Sequence, residues 1–299
     1  MTPKQLFRGY AFILTAAVLF GTTGTARMLG TCAVAPWITG AFRLIIGGPI
    51  LLGICLVFKQ TNPKITGKPP GPGRQVFALL GASLGVVAFQ FAFFEAVSRT
   101  GVAAGTLVAI GSAPVFAGLL GALLHGETLD RNWALSTLLA LSGCSLLAIT
   151  GHTVAIDLPG LGLALVAGSG YALYVAAGRS LVQTMAPAKA VGLVLTFGGL
   201  IMLPLVWTSD LSGLTEPRAL VTLAYLGIFA TAASYYCLTA GLVHIPISRA
   251  AILLLAEPLV GSLLGICLLK EPFSLQSALG MALIFAGIAV VAVGQGITA

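Results

Sequence analysis

The chain has 299 residues, of which 58% are hydrophobic and only 8% charged, with a mean hydropathy of +1.05. A soluble domain has about a quarter of its residues charged, so these proportions exclude a water-soluble fold and predict an all-α polytopic membrane protein surrounded by lipid bilayer. The net charge of +7 is scattered over the ends of apolar runs and forms no patch, which argues against a nucleic-acid partner.

Ten apolar runs of spanning length follow one another with short breaks, at 8–29, 36–58, 75–97, 101–124, 132–150, 160–182, 189–208, 218–241, 247–269 and 275–294. With the amino terminus inside, Lys4, Arg8, Lys59, Lys64, Lys68, Arg74, Arg131, Arg179, Lys189 and Arg249 all fall on the cytoplasmic side. Only Arg27, Arg99, Arg218 and Lys270 fall outside, and Arg43 lies within a run. That asymmetry predicts an inner (cytoplasmic) membrane protein with both termini in the cytoplasm. The first run has a basic front like that of a signal peptide, but its length and the spans that follow at once mark a retained helix. Five cysteines (Cys32, Cys55, Cys144, Cys237, Cys267) show no CxxC spacing and lie mostly within spans, so no disulfide framework, zinc site or cofactor is indicated.

A carrier needs a few polar groups in an apolar, concave wall, and helical spacing picks out candidates span by span. Phe20, Thr23, Gly24 and Arg27 share one face of span 1. Arg43 lies inside span 2, in "AFRLIIGG". Span 3 offers Phe89 and Phe93 on one stripe of "FQFAFFEA", with Gln90 beside them, and span 4 supplies Ser112 just before Pro114. Span 6 carries Ser169, Tyr171 and Tyr174 in "GSGYALY", and span 8 carries Ser234, Tyr235 and Tyr236. These aromatic faces with hydroxyl and amide groups suit the side chain and zwitterionic head of an amino acid, although such stripes also serve helix packing. The small-xxx-small pairs Gly81/Gly85, Gly101/Gly105 and Gly261/Gly265 predict close helix contacts.

Span 9 holds the costliest residue. In "LLLAEPLVG", Glu257 sits roughly 15 Å into the helix at a rise of about 1.5 Å per residue, near the bilayer centre. A lone carboxylate there costs several kcal/mol unless it is protonated, paired or wetted. Two readings stay open: Glu257 binds a substrate amine or a proton, with Arg43 meeting a carboxylate, or each is a structural or gating residue beside the kink at Pro258.

The proline after Glu257 has a counterpart. A shift of 144 residues lays Pro114 over Pro258 and Glu127 over Glu271, and matches Leu119, Leu120, Gly121 and Leu124 to Leu263, Leu264, Gly265 and Leu268. Ala134, Leu135, Leu139, Gly143 and Ala148 find their partners at the same offset, and Ser234 lies over Gln90. The chain therefore reads as two five-helix repeats, 1–150 and 151–299, in one membrane unit. An odd number of spans per repeat forces opposite insertion, so the ten transmembrane helices form two inverted five-helix repeats. The prolines should free the carbonyls of Ile110 and Leu254 and bend spans 4 and 9.

With ten spans, two repeats, a proline followed thirteen residues later by a loop glutamate, and "EP" in span 9, the chain resembles the EamA-type drug/metabolite transporter superfamily. Arg43 in span 2, and Arg27 and Arg179 ending spans 1 and 6, also fit that pattern, whereas Phe20 stands where many relatives carry Trp. The resemblance covers nearly the whole chain. It implies a secondary transporter working by alternating access, and its interior is similar to exporters of aromatic and other neutral amino acids. Because "EP" recurs across members with unrelated substrates, the resemblance favours a structural or gating role for Pro114, Glu257, Pro258 and Arg43. Expected partners are a neutral or aromatic amino acid, lipid and, as a candidate coupling ion, the proton, with the chain a monomer or weak dimer. A nucleotide-sugar or sugar-phosphate carrier of the same fold would need several cavity cations, and only Arg43 is well inside. An intramembrane enzyme would need paired acids or a Ser/His pair at membrane depth, whereas His125, His152 and His244 lie near span ends. No repeated filter sequence suggests a channel, and the Gly-rich fragments "GTTGTARMLG" and "GLGLALVAG" follow no strand, which rules out a dinucleotide site.

Overall fold

Residues 3–30, 35–57, 72–100, 102–148, 157–270 and 274–293 are described by a computed structural model. Lys59, Lys64, Lys68, Cys32, Gly101, His152 and Glu271 lie outside the described residues. Helices begin where proline or an acidic cap permits. Proline opens α1 (Pro3–Leu29), α2 (Pro36–Val57), α3 (Pro72–Thr100), α7 (Pro187–Trp207) and α8 (Pro217–Gly227), at the position where its missing N–H costs nothing. The Asp130 carboxylate accepts from the Trp133 amide (2.8 Å) to start α5 (Arg131–Ala148), and Asp157 accepts from Gly160 (3.1 Å) to start α6 (Leu158–Val182).

α4 (Val102–His125) runs unbroken through Pro114. It stops at Gly126, whose φ of +65° lets the Gly126 and Glu127 amides turn back to the carbonyls of Ala122 and Gly121. Span 8 is composite: α8 passes through a π-helical turn, Ile228–Ala233, into α9 (Ser234–Gly241). Span 9 is interrupted, with α10 (Ile247–Leu253) ending at a turn before α11 (Ala256–Leu268). Pro258 withholds its amide from Leu254, and the Glu257 amide donates to that carbonyl instead (2.9 Å), so the expected free carbonyl at Leu254 is satisfied by a tighter turn. α12 (Leu275–Val293) completes an all-helical chain, with no strand among the described residues.

Nine of these helical stretches are long and apolar enough to cross a membrane among the described residues. α5 falls outside that group, because it opens on Arg131 and Asn132 and carries Ser136, Thr137, Ser142 and Ser145. The surface is oily: Leu123 is 79% exposed, and Phe77 and Phe285 are similarly bare, as lipid-facing side chains are. A centre of Ile13, Leu44, Tyr174, Leu195, Tyr235 and Leu238 is fully buried.

Glycine sets the closest crossings. α3 meets α6 where a Cβ on Gly85 would reach within 2.6 Å of the Gly170 carbonyl, and Gly170 faces Gly85 in return. α5 meets α12 twice, with Gly143 against the Gly280 carbonyl and Gly287 against the Ser136 carbonyl. A shift of 144 residues turns each of those two contacts into the other. Lys270, with φ of +57°, stands at the same offset from Gly126 and is likewise left-handed. Gly81 and Gly85 both face α6, and Gly261 approaches the Gly21 carbonyl of α1.

Candidate functional site

Six of the candidate aromatic side chains meet in one continuous run. The Phe20 ring packs edge-on to Tyr235 (5.0 Å between centroids), and Tyr235 packs edge-on to Tyr174 (4.9 Å). Tyr174 adjoins Tyr171 (6.3 Å), Tyr171 adjoins Phe89 (5.3 Å), and Phe89 stacks on Phe93 (5.4 Å). Edge-to-face and offset pairs at these separations are the favoured geometries for aromatic rings. The run draws on α1, α9, α6 and α3, crossing the molecule through its buried centre. The Tyr174 and Thr239 hydroxyls share a hydrogen bond of 2.8 Å, whereas the buried Tyr171 hydroxyl has no hydrogen-bond partner among the described residues.

Beside Phe89 and Tyr171 lies a cavity of about 20 Å³, room for roughly one water. Its other walls are Ala109, Ile110 and Ala113 of α4 and Ala251, Leu254, Leu255 and Glu257 of the interrupted span. Ile110 and Leu254 are equivalent under the 144-residue shift, as are Ala113 and Glu257, so matching segments just before Pro114 and Pro258 face one another here. Glu257 lies in the first turn of α11, where the helix dipole favours a carboxylate. Its side chain makes no hydrogen bond or ion pair among the described residues.

Arg43 is spent elsewhere. Its Nε donates to the Thr231 hydroxyl (2.7 Å) and a terminal nitrogen donates to the Ala230 carbonyl (2.9 Å). Both acceptors belong to the π-helical turn, whose widened ladder leaves a carbonyl for a side-chain donor. The guanidinium, 5% exposed, thus pins α2 to span 8.

The polar candidates scatter. Gln90 donates to the Gly40 carbonyl (3.1 Å), tying α3 to α2, and leaves its own oxygen unpartnered. Ser112, Ser169 and Ser234 each donate to a carbonyl three residues back in their own helix. Thr23 is half-buried on α1 and outside both cavities. The larger cavity, about 650 Å³, opens between the ends of α1, α8 and α11 and is lined by Thr22, Thr25, Arg218, Thr222, Tyr225 and Leu264, among others. None of the candidate residues borders it.

At the opposite end from that cavity, Glu127 closes the molecule. Its carboxylate accepts from the amides of Ile247 (2.7 Å) and Ser248 (2.9 Å) and from the Ser248 hydroxyl (2.7 Å). Arg179, ending α6, lies 3.5 Å from the same carboxylate and donates to the Ile245 carbonyl (2.7 Å). Asp130 and Arg249 add a second bridge at 3.5 Å. One loop carboxylate therefore joins the ends of α4, α6 and α10. Its sequence signal was the pairing of Glu127 with Glu271 and the arginine ending span 6, but nothing in the chain showed that α10 receives it.

Apolar helices around a buried aromatic centre, with a cavity at one end and a polar clasp at the other, make the build of a membrane transporter. The chain belongs to the EamA-like transporter family, whose model matches residues 7–149 and again residues 158–293. It is similar to the uncharacterized transporter YwfM of Bacillus subtilis, 38% identical over 280 residues that cover 94% of this chain and 92% of that protein. An uncharacterized transporter of Archaeoglobus fulgidus is 26% identical over 93% of this chain and 97% of its own length. The WAT1-related chloroplastic protein At3g02690 of Arabidopsis thaliana is 25% identical over 97% of this chain and 70% of its own length. A crystal structure of a protein 22% identical superposes with a TM-score of 0.79, covering 94% of this chain and 95% of that one, which is a likeness of fold.

Proposed function

We infer that this transporter exports neutral amino-acid-type metabolites, above all those with aromatic or large apolar side chains, by alternating access at the central cavity. The observation that carries the reading is the unbroken aromatic run from Phe20 to Phe93 beside that cavity. Phe89 and Tyr171 of that run line the cavity, and their rings match an apolar side chain and discriminate against a phosphate, which wants several free cations. The two donors that Arg43 spends on the π-helical turn speak against the sugar-phosphate alternative.

Alternating access needs two halves of opposite insertion, ten spans with α5 counted. Support comes from the double match to the family model, the paired Gly143–Gly280 and Gly287–Ser136 contacts, and the left-handed residues at equivalent positions 126 and 270. The orientation, an inner membrane with both termini cytoplasmic, rests on the lysines and arginines alone. Cysteine labelling from either side tests it, and an external carboxyl terminus would end the inverted-repeat reading.

The substrate test is uptake into proteoliposomes loaded with unlabelled phenylalanine. Labelled phenylalanine and methionine should enter by counterflow, with or without a pH gradient. Preference for a sugar phosphate over both would overturn the reading.

A further inference from the structure

We propose that the central cavity is a cation site, in which the Glu257 carboxylate takes the ammonium head of the substrate and Phe89 and Tyr171 complete its shell. The proposal deepens the amino-acid reading above and rests on it for treating this cavity as the substrate's.

Two polar groups at the cavity lack partners among the described residues. The Glu257 side chain borders it without a hydrogen bond or ion pair, and the Tyr171 hydroxyl is buried without one. A side chain that merely held the helix turn would be bonded to it, yet the turn is closed by backbone amides, those of Leu255 and Glu257. Arg43, the cation that acts on Glu257 from α2, has donors turned to Thr231 and Ala230. The equivalent position across the cavity is Ala113, which brings no second charge.

A carboxylate in such a place is neutralised either by a proton or by a cation that enters. An ammonium group is about the size of the single water that the cavity admits. It would find a charged acceptor in Glu257, a neutral acceptor in the Tyr171 hydroxyl, and the faces of two rings 5.3 Å apart and inclined at 50°. A ligand carboxylate would find only the tyrosine hydroxyl and a like charge. The site therefore selects the amine end of a substrate and rejects an anion.

Proton and ammonium compete for the same carboxylate, so binding of one expels the other. The other titratable groups that feel the Glu257 charge are Tyr171 from α6, Tyr235 from α9 and Cys144 from α5, and α1 presents Gly21 to its backbone. None of them is a second carboxylate, so one proton is exchanged per amine.

The test uses the purified full chain in nanodiscs with three probes: phenethylamine, phenylalanine and 3-phenylpropionate. Phenethylamine should bind, release protons into weakly buffered solution, and bind less tightly as pH falls through the titration of the carboxyl group. 3-Phenylpropionate should bind at least about tenfold more weakly, since it loses the charge-assisted bond and meets a like charge. Glu257→Gln should weaken phenethylamine by at least about tenfold and abolish its pH dependence, whereas Tyr171→Phe should weaken it several-fold and keep that dependence. Unchanged amine affinity in Glu257→Gln, equal binding of the anion, or no phenethylamine binding at any pH would overturn the proposal. If Glu257→Gln does not fold, proton release by the wild type and the Tyr171→Phe affinity decide, and absence of proton release is fatal. Transport of phenylalanine by Glu257→Gln at the wild-type rate leaves the exporter reading standing and removes the cation site. Glu257-dependent amine binding without phenylalanine transport does the reverse.

Discussion

Replacing Glu127 with alanine removes three hydrogen bonds to a carboxylate and leaves Arg179 without its anion. Hydrogen bonds to a charged group contribute about 1.5–3 kcal/mol each, but the freed amides at the start of α10 lie at a helix end where water can replace part of the loss. Removing one partner of a buried ionic cluster costs about 3–5 kcal/mol in comparable cases, and the Glu127 side chain is only 8% exposed. Where the clasp exists only with this end of the molecule closed, that energy shifts the conformational equilibrium by roughly two to three and a half powers of ten toward opening. The assay places a single cysteine at Ala250, fully buried behind the clasp, in a background free of the native cysteines. Labelling by a membrane-impermeant maleimide, added from the side expected to be cytoplasmic, should rise sharply in Glu127→Ala. Glu127→Gln keeps the shape and one acceptor and should fall between. Unchanged labelling together with an unchanged melting temperature would refute the assignment of Glu127 as the closure of this end.

The prolines and one left-handed lysine give two further predictions. Pro258→Ala restores a backbone donor to Leu254, so span 9 should straighten; transport should drop while the protein still folds, and an undiminished rate with unaltered accessibility would reduce the break to mere packing. Lys270→Gly should stabilise the fold by about 1 kcal/mol, because a side chain in the left-handed region costs about 1–2 kcal/mol, and a melting temperature that falls would count against that strain.

How much of this was legible depended on what a helix can satisfy by itself. Apolar spans and the break near Pro258 were readable, because length and a missing amide act locally. The hydroxyl candidates misled for an equally local reason. In lipid, Ser112, Ser169 and Ser234 each return a hydrogen bond to their own helix, so a polar residue in a span need not face a cavity. Aromatic rings have no such local outlet. Phe20, Tyr174 and Tyr235 instead meet one another across helices. The π-helical turn left no trace in "IFATAA", which contains neither proline nor glycine. Arg43 meets that turn from 187 residues earlier in the chain, a relation no local pattern encodes. The fifth span lies at the margin of hydropathy, since its first turn is polar, and its packing against α12 lies outside any window.

The two prolines occupy equivalent positions and yet leave different traces. α4 continues through Pro114, whereas span 9 breaks at Leu254 and Leu255 before Pro258. The difference lies in the neighbours. The broken span begins at the Glu127 clasp, which fixes the α10 amides to the far end of α4, and resumes at Glu257, which sits where the dipole of α11 favours a negative charge. Continuous helix after Pro114 is followed by the Gly126 turn that delivers Glu127 to that clasp. α4 thus supplies a straight span ending in a carboxylate, and α10 with α11 supplies the bent span that receives it. A conformation in which the roles were exchanged would straighten span 9, bend α4 at Ile110, and move the open cavity to the end that Glu127 now closes. The residues that would meet in both forms are those around Glu257, because Ile110 and Ala113 face Leu254 and Glu257 across the same small space. Under the alternating-access proposal, that shared space is the one position from which a bound ligand would touch both proline-bearing spans.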